Sequence, residues 1–500
     1  MAENVVVENL NVVISINRQV KMRKIRLSED EFKDKVLGCW LGKNIGGTLG
    51  TPYEGKKYVH NLTFYDPVPK EPLANDDLDF QLVWLKMLED RGIDVSFSDF
   101  TDYWMKYLSG HWYNEYSFCT YNLQRGLKPP ISGAFQNYYV DEMGSPIRSE
   151  IWACLSPADP QLAARMAWMD SSLDHTGGEG RWGEMFWASV ESAAFVIKDI
   201  KALVQIGLSM IPISCNISRV IREVLYCHET GMRWDEVRER VVTIFGHYQP
   251  CNAIPNHGFT IIGLLYGEDF GDKLCKSVNC AYDTDCTGAT LGSLLGIIHG
   301  ASSIPINWRR PVGNAIVPCK QTVTEGLPKT LNELTQRSIA IAKNFISRKS
   351  ETVEFADDTS IPENVFSLLC RNDKVRELLT YDDHCAIENI DDLEVVFHYN
   401  GEPVVFPGIK RTYKISLNKD ESAVKGSLIV KGPVEWEISN PLFKEGHYIF
   451  DIIAKRVENH NKIEVTAKFK DKVYKTNFTL LGHNAIKGIP ATAFPPKDVL

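Results

Sequence analysis

The sequence predicts a mainly α protein, in which a large all-α domain is followed by a small all-β sandwich. Apolar residues recur at helical spacing through the first two thirds of the chain. After a polar stretch, short runs of alternating apolar and polar residues take over. We expect an N-terminal extension (1–27), a helical domain (28–350), a linker with a short helix (351–390), a β-sandwich (391–485) and a tail (486–500).

The first predicted helix of the helical domain carries an unusual run of glycines. Ser28 followed by Glu31 is the pattern of a capping box, which marks the start of this helix. Glycines weaken a helix, and they are tolerated where its backbone must approach another backbone or a ligand closely. We therefore expect a close contact along the glycines of this helix, which are Gly38, Gly42, Gly46, Gly47 and Gly50.

The C-terminal region predicts antiparallel strands. The run from Leu393 to Tyr399 ends in Asn400-Gly401, which is typical of a tight turn between two strands. A short helical piece is expected just before this region, at 374–379. Further strand patterns follow at the spacing of an immunoglobulin-like sandwich, at 411–417, 424–431, 436–438, 448–454, 463–469 and 473–480.

Composition and charge exclude several classes of protein. The net charge of -9 argues against a nucleic-acid partner, because phosphate backbones require a field of Lys and Arg. No apolar run approaches the roughly 20 residues that span a bilayer, and the chain does not begin like a secretory signal. The 12 cysteines lack regular spacing and form no CxxC pair. We therefore expect reduced thiols and a cytoplasmic location.

Two acidic clusters stand at the starts of predicted helices, at 75–79 and at 283–287. One aspartate at such a position is usually a helix cap that complements the helix dipole. Here each cluster holds two or three carboxylates, and the second leads into a helix of small and apolar residues. Buried neighbouring carboxylates repel one another unless a cation neutralises them. The pattern therefore predicts a cation site between the clusters.

The ligand types favour a hard divalent cation. Mg²⁺ prefers oxygen ligands at about 2.1 Å, and Asp, Asn and Thr side chains supply such oxygens. Five or six of them suffice for two ions that share an aspartate. His and Cys ligands are not clustered here, so zinc or copper is the poorer expectation.

Several motifs in order resemble the ADP-ribosylglycohydrolase family, over roughly residues 32–304. Asn75-Asp76-Asp77 is similar to that family's Thr-Asp-Asp motif, and 283–290 resembles its Asp-Thr-Asp-Thr-Thr-Gly-Ala motif. The glycine helix carries the N-terminal signature in Gly38-Cys39-Trp40-Leu41-Gly42, Gly46-Gly47-Thr48-Leu49-Gly50 and Pro52-Tyr53-Glu54. The resemblance implies an orthogonal all-α domain and a glycohydrolase that cleaves N- or O-glycosidic bonds at the anomeric carbon of ADP-ribose.

The resemblance also implies a binuclear Mg²⁺ centre, with Mn²⁺ as the other possible ion. In such a centre the cations orient the sugar diol and activate a water, and a neighbouring carboxylate receives the proton of that water. The implied catalytic residues are Glu54, Asp77 and Asp285. The implied metal ligands are Asn75, Asp76, Asp77, Asp283, Asp285 and Thr287.

Three positions depart from the family pattern. Gly47 stands where the family has an aspartate, Asn75 replaces a threonine, and Cys286 occupies the slot of a metal-binding threonine. Because a thiol is a poor Mg²⁺ ligand, Thr287 is the expected substitute. These changes indicate a divergent subgroup with another sugar substrate.

Candidate substrate-binding residues are less specific. Arg148 could hold a phosphate or form a structural salt bridge, and His175 lies in a glycine-rich loop that either lines a cleft or is a plain turn. Trp112 stands in an unusually polar aromatic segment, where its ring could stack on a base or a sugar. Asn256 and His257 follow a Pro-bounded loop, with helix capping by Asn256 as the alternative.

The sequence thus predicts a metal-dependent glycohydrolase that acts on a small-molecule or ADP-ribosylated substrate. A non-catalytic sugar- or nucleotide-binding protein with the same fold is the alternative, although it would not need to keep Asp76, Asp77, Asp283 and Asp285. A structural role centred on the β-sandwich rests only on the presence of that domain. We expect the aromatic segment 104–137 to shape specificity.

Overall fold

A computed structural model of the chain describes residues 24–420 and 422–485. The predicted N-terminal extension is therefore described only from residue 24 onward, and the predicted tail 486–500 lies outside the described residues. The helical part precedes the strand-rich part, as predicted. In the described residues, no helix is both long and apolar enough to cross a membrane.

The helical part extends from Glu29 to Lys349. Its helices are α1 (Glu29–Gly50), α2 (Asp76–Arg91), α3 (Phe97–Tyr103), α4 (Asn114–Gln124), α5 (Ile131–Ala134), α6 (Ser149–Leu155), α7 (Pro160–Ser171), α8 (Glu179–Ala194), α9 (Ile200–Ser209), α10 (Asn216–Glu229), α11 (Trp234–Phe245), α12 (Ala253–Tyr266), α13 (Phe270–Asn279), α14 (Thr284–His299), α15 (Ile306–Val312) and α16 (Leu331–Lys349).

Helices α1 and α14 form the closest contact of the helical domain, as the glycines of α1 predict. A Cβ atom added at Gly42 or Gly46 would lie 1.9 Å from the carbonyl oxygen of Gly292 or Gly288. Any side chain at these positions would therefore force the helices apart. This backbone-to-backbone packing brings the C-terminal end of α1 to the first residues of α14, where Gly50 lies against Thr284.

The start of α1 differs in one detail from the sequence prediction. Ser28 is the N-cap residue, but its side chain makes no capping hydrogen bond to the helix. The Ser28 N–H donates instead to Thr359 Oγ1 (3.0 Å), and the Thr359 hydroxyl donates to Glu31. The predicted capping box is therefore wrong, because a threonine from the linker takes over both partners.

The linker is tied to the helical domain. Strand β1 (Ile25–Ser28) pairs in parallel with β2 (Val353–Ala356), so the region after α16 returns to the start of α1. The short helix of the linker is α17 (Val365–Leu369). The helical piece expected at 374–379 is therefore misplaced, and only a 3₁₀ turn forms near it, at Leu378–Thr380.

The C-terminal strands form two packed sheets, which confirms the predicted β-sandwich. In one sheet the order is β10-β11-β6-β4-β3, with β7 beside β6 and β9 beside β11, and in the other it is β5-β13-β12-β8. The strands are β3 (Cys385–Ile390), β4 (Leu393–His398), β5 (Val404–Val405), β6 (Lys410–Lys419), β7 (Ser422–Ala423), β8 (Ser427–Lys431), β9 (Glu437–Ile438), β10 (Leu442–Lys444), β11 (His447–Ile453), β12 (His460–Phe469) and β13 (Lys472–Gly482).

Side chains from the inner faces of both sheets fill the sandwich core, where the Phe397 and Phe478 rings lie 5.1 Å apart. The first strand, β3, begins before the boundary predicted at 391. Its Cys385 and Ile387 belong to the core of the helical domain, so β3 lacks the alternation of a strand that faces only the sandwich. The immunoglobulin-like classification stays a prediction.

The sandwich is anchored on the aromatic segment 104–137. The Ile387 N–H donates to the Pro129 carbonyl (2.9 Å), and Lys128 forms an ion pair with Glu388. Leu127 and Ile131 belong to the sandwich core rather than to the helical core. The β domain therefore supports a segment that the helical domain alone would leave partly uncovered.

Candidate active site

The two acidic clusters meet at the N-terminal ends of α2 and α14. Asp76 and Asp77 begin α2, Asp283 is the N-cap of α14, and Asp285 lies in the first turn of α14. Glu54 follows the 3₁₀ turn that continues α1. We call Glu54, Asp76, Asp77, Asp283 and Asp285 the carboxylate site.

One half of the site consists of Asp77, Asp285 and Cys286. Their ligand atoms all lie within 4.8 Å of one another, and all three side chains are buried. The Cys286 thiol donates a hydrogen bond to Asp77 Oδ1 (3.4 Å). Cys286 therefore points into the site, in the position where the family motif has a threonine.

The other half consists of Glu54, Cys251 and Asp283, whose ligand atoms also lie within 4.8 Å of one another. The sequence-based expectation that cysteines stay apart from the carboxylates is therefore wrong. Cys251 is distant along the chain, and its loop reaches Asp283 because the Asn256 side chain accepts a hydrogen bond from the Asp283 N–H (3.2 Å). Among these groups Glu54 is exposed, and Asp283 is buried.

The loop before α14 is held in an unfavourable backbone conformation. Ala281 and Tyr282 have φ values of 74° and 71°, in the left-handed region that side chains other than glycine rarely adopt. Two backbone hydrogen bonds compensate, from Gly55 N–H to the Tyr282 carbonyl and from Tyr282 N–H to the Lys56 carbonyl, each 2.9 Å. This pairing fixes the loop that carries Glu54 beside Asp283.

The crowded carboxylates raise one another's pKa values. The charge of Asp285, together with burial, raises the pKa of Glu54 to about 8. Burial, together with the charge of Glu54, raises the pKa of Asp283 to about 8. Burial is the main reason that the pKa values of Asp77 and Asp285 lie well above the usual range. The site therefore holds more negative charge than its surroundings neutralise.

The carboxylate oxygens of the site are suited to binding a divalent cation. Within the described part of the chain, no group donates a hydrogen bond to Asp77 Oδ2, Asp283 Oδ1 or Asp285 Oδ1, although all three atoms are buried. Buried carboxylate oxygens without partners are costly. A cation bound among them would remove both the missing contacts and the repulsion.

A buried lysine supplies part of the missing positive charge. Lys43 Nζ donates to Glu150 Oε1 (2.7 Å) and to the Ile147 carbonyl (2.9 Å), and it lies 3.9 Å from Asp77 Oδ2. Burial lowers the pKa of Lys43, but Glu150 and Asp77 raise it more, so that it lies above the usual range. The positive charge of Lys43 is thus shared with Glu150. It does little to neutralise Asp283 and Asp285.

Asn75 and Gly47 fit together. Asn75 Oδ1 accepts a hydrogen bond from the Asp77 N–H (2.7 Å), so Asn75 caps α2. A Cβ atom added at Gly47 would lie 2.5 Å from Asn75 Nδ2. The departures at Gly47 and Asn75 are therefore linked, because Gly47 leaves the room that the Asn75 amide occupies. The metal-ligand role of Asn75 stays a prediction.

Thr287 is placed less favourably than expected for a metal ligand. Its hydroxyl donates to the Thr284 carbonyl (3.3 Å) inside α14, and the side chain is fully buried. The thiol of Cys286, rather than this hydroxyl, reaches Asp77. The structure therefore does not support Thr287 as the substitute for the family's threonine.

A chain of hydrogen bonds leads from Asp76 away from the site. The Tyr113 hydroxyl donates to Asp76 Oδ2 (2.9 Å) and lies 2.9 Å from His111 Nδ1. His111 Nε2 lies 2.7 Å from the Thr322 hydroxyl, which donates to Asp79 Oδ2 (2.7 Å). One oxygen of Asp76 is thereby fixed. The roles of His111, Thr322 and Asp79 were not predicted, since only spatial proximity relates them.

Arg148 and His175 do not face a substrate. Arg148 is fully buried and forms two hydrogen bonds to Asp174 (2.8 and 2.9 Å) and an ion pair with Asp170 (3.0 Å). His175 is also fully buried, with its Nδ1 2.9 Å from Asp174. These contacts favour the alternative of a structural salt bridge for Arg148, and burial encloses the His175 imidazole, so substrate binding by either residue stays a prediction without support from the structure.

The remaining predicted substrate residues divide into two groups. His257 is fully buried, and its Nδ1 lies 2.6 Å from the Ala253 carbonyl, so it is a core residue. Asn256 is buried and acts on Asp283 rather than on a substrate, while Asn252 is the cap of α12. Only Trp112 remains partly exposed, next to Tyr113.

A separate cleft of about 700 Å³ lies between the helical domain and the sandwich. Residues of α7, α16 and the loop around Asp391 line it, and these lining residues include none of the predicted site residues. Its size alone does not make it the candidate site, because the carboxylates predicted to carry the chemistry are elsewhere.

One family model and one solved structure are similar to this chain. The family model described as ADP-ribosylglycohydrolase matches residues 28–341, which include the whole carboxylate site and exclude the sandwich. A solved structure described as "ADP-ribosylglycohydrolase-related protein complex" shares 19% identity with a TM-score of 0.45, over 64% of this chain and 99% of that chain. No curated protein matches the chain.

Proposed function

Because this chain belongs to the ADP-ribosylglycohydrolase family, we propose that it is an active glycohydrolase with its catalytic centre at the carboxylate site. Its substrate in this proposal carries a ribosyl or related sugar, whose N- or O-glycosidic bond is hydrolysed at the anomeric carbon. The observation that supports this most directly is the set of buried oxygens on Asp77, Asp283 and Asp285 that have no hydrogen-bond donor among the described residues. A protein that only bound sugar would gain nothing from keeping this repulsive arrangement.

The residues suggest a pair of cation positions. Asp77 and Asp285 would hold one divalent cation, and Asp283 and Glu54 the other, with Asp76 able to contribute its free oxygen. When bound, such cations orient sugar hydroxyls and lower the pKa of a water. Mg²⁺ remains the ion that the family resemblance predicts.

Within this proposal Glu54 is also the general base, through the carboxylate oxygen that does not bind the cation. It is the exposed carboxylate of its half of the site, so its oxygens face the solvent from which water and substrate arrive. Asp77 and Asp285 are buried and are better placed to hold charge than to exchange protons with solvent. In hydrolysis the water oxygen would bond to the anomeric carbon as the glycosidic bond breaks. Glu54 would accept a proton from this water, and the leaving nitrogen or oxygen would take up a proton from solvent.

The substrate-side wall in this proposal is the segment around Trp112 and Tyr113. Tyr113 contacts Asp76, and its partly exposed neighbour in the sequence, Trp112, would then lie at the rim of the site. The β-sandwich supports the same aromatic segment further along, at Pro129. Specificity would therefore depend on a part of the helical domain that the added β domain holds in place.

A hydrolysis screen tests the proposal. Purified protein is incubated with ADP-ribosyl-arginine, ADP-ribosyl-serine, nucleosides and simple glycosides, each with Mg²⁺, Mn²⁺ or Zn²⁺. We expect one substrate class to be cleaved by the parent protein and the Asp285→Asn variant to lose the activity by about 100-fold or more. Asp269→Asn is the matched control, because Asp269 caps α13 away from the site. Cation binding without cleavage of any substrate would favour the non-catalytic binding protein instead.

A further inference from the structure

Two thiols lie in the carboxylate site, one in each half. Cys286 belongs with Asp77 and Asp285, and Cys251 belongs with Glu54 and Asp283. We propose that these two cysteines are metal ligands, and that the site selects a thiophilic divalent cation of the Zn²⁺ class over Mg²⁺. This proposal deepens the proposed function, on whose cation centre it rests.

The spacing of the ligand atoms supports coordination by sulfur. Ligands of one zinc ion lie about 2.0–2.3 Å from it, so any two of them are separated by at most about 4.6 Å. The three ligand atoms in each half already lie within 4.8 Å of one another. A small adjustment of side chains would therefore bring a thiol and two carboxylates onto one ion in each half.

The carboxylates provide an independent indication of a ligand. Asp285 is grouped with Cys286 and Asp283 with Cys251, and each aspartate has a buried oxygen, Oδ1, without a hydrogen-bond partner among the described residues. The cysteines are therefore neighbours of oxygens that already require a positive partner. Cys286 itself is oriented toward Asp77 by its 3.4 Å hydrogen bond.

The hydroxyl oxygen that Mg²⁺ would need as a ligand is missing beside Asp77 and Asp285. The Thr287 hydroxyl is used within α14, and Cys286 presents sulfur where the family motif has a hydroxyl. Mg²⁺ binds sulfur poorly, whereas Zn²⁺ takes mixed sets of Cys and Asp or Glu ligands. On binding, each thiol would release its proton to water and bind the ion as a thiolate.

Cobalt(II) is a suitable probe, because it occupies zinc-type sites and gives a charge-transfer absorption band when a thiolate binds it. The test titrates the full-length parent protein with Co²⁺ and then measures Zn²⁺ and Mg²⁺ affinities by competition. The variants are Cys286→Thr, which restores the family's hydroxyl, and Cys251→Ser. Cys280→Ser is the matched control, since Cys280 is buried and donates to the Lys276 carbonyl.

We expect the charge-transfer band in the parent and in Cys280→Ser, and its weakening in each site variant. The ratio of Zn²⁺ to Mg²⁺ affinity should fall in Cys286→Thr by more than the roughly tenfold that an outer-shell change costs. A parent protein without the band, or an unchanged ratio in Cys286→Thr, would overturn thiol ligation. Hydrolysis supported by Mg²⁺ in that case would leave the proposed glycohydrolase function intact, so the two failures are distinguishable.

Discussion

Two buried carboxylate clusters of the helical domain differ in the source of their positive charge. Around Arg148, the carboxylates of Asp170 and Asp174 lie 2.8–3.0 Å from the guanidinium, and all three side chains are fully buried. In the carboxylate site the nearest protein cation is 3.9 Å from Asp77 and is already bonded to Glu150. Among the described residues, one cluster has a guanidinium in direct contact with its carboxylates, and the other has no cation that is free to pair with them.

The pKa of Asp174 follows this difference, whereas burial raises the pKa of Asp170 to about 6 despite its contact with Arg148. Burial raises the pKa of Asp174, but Arg148 and His175 lower it more, so that it lies below its usual range. In the carboxylate site the neighbours are acidic, and the pKa of Asp283 is raised to about 8. A buried acidic cluster that contains its own arginine is a stabilising part of the core, whereas one without it is a candidate for an external cation.

Removing Arg148 should have the largest effect. Arg148→Met would leave Asp170 and Asp174 buried without a cation, and we expect a loss of about 3–5 kcal/mol in the free energy of unfolding, measured by urea denaturation. The control is Arg233→Met, whose side chain is 69% exposed and pairs with Asp235, and we expect little change in its free energy of unfolding because solvent screens this pair. Equal losses in the two variants would contradict a structural role for the arginine cluster.

A divalent cation should stabilise the other cluster. At about one hundred times its Kd the cation is expected to add about 2.7 kcal/mol to the free energy of unfolding, because it binds the folded chain only. Thermal unfolding with and without Zn²⁺ or Mg²⁺ measures this effect. Asp285→Asn should lose most of it and Asp269→Asn should retain it. If Asp285→Asn kept the full cation-induced increase in the free energy of unfolding, the cation would be bound at another site.

Without cations, stability should depend on pH in a defined direction. The pKa of Asp283 is about 8 in the folded protein because of burial and Glu54, whereas an aspartate in an unfolded chain titrates near about 4. Between these values the folded state binds more protons than the unfolded state, so stability falls as pH rises through this window.

The slope of this dependence is about 1.4 kcal/mol per pH unit for each extra proton. Urea denaturation across this range, with a chelator present, measures it. Saturating divalent cation should flatten the dependence, because it takes the place of the protons. A metal-free protein that gains stability as pH rises would contradict the assignment.

Loss of the Tyr113 hydrogen bond should have the smallest effect. Tyr113→Phe frees Asp76 Oδ2, and we expect cation affinity to fall by about tenfold, as for other outer-shell partners of metal ligands. Isothermal titration with the divalent cation measures the change. Tyr116→Phe is the control, because the Tyr116 hydroxyl contacts the Gly144 carbonyl instead (3.3 Å). Equal affinity losses in both variants would indicate general loosening rather than positioning of Asp76.

The sequence predicted the parts of the site that are encoded locally. Asp76, Asp77, Asp283 and Asp285 stand at helix starts, where a short motif fixes both residue type and geometry. The glycine pattern of α1 likewise predicted a close helix contact, since only such a contact explains so many glycines in one helix.

Features that depend on tertiary contacts were missed. Cys251 reaches Asp283 through a loop far away in the chain, and Thr322 reaches His111 from beyond α15. Arg148 and His175 matched loop patterns, yet both are enclosed because charged partners from α7 and the following turn surround them. A motif indicates that a residue lies near a site, but burial and partners decide whether it faces a substrate.

The contact between α1 and α14 has a consequence for how this protein can change over evolution. Its spacing is set by glycine backbone atoms at Gly42, Gly46, Gly288 and Gly292, and backbone dimensions do not vary from one sequence to the next. The carboxylates at the ends of these helices therefore keep their separation while surrounding loops mutate. Substitutions around Trp112 or Cys251 can alter the choice of substrate or ion without rebuilding the centre, so new specificities can arise on an unchanged frame.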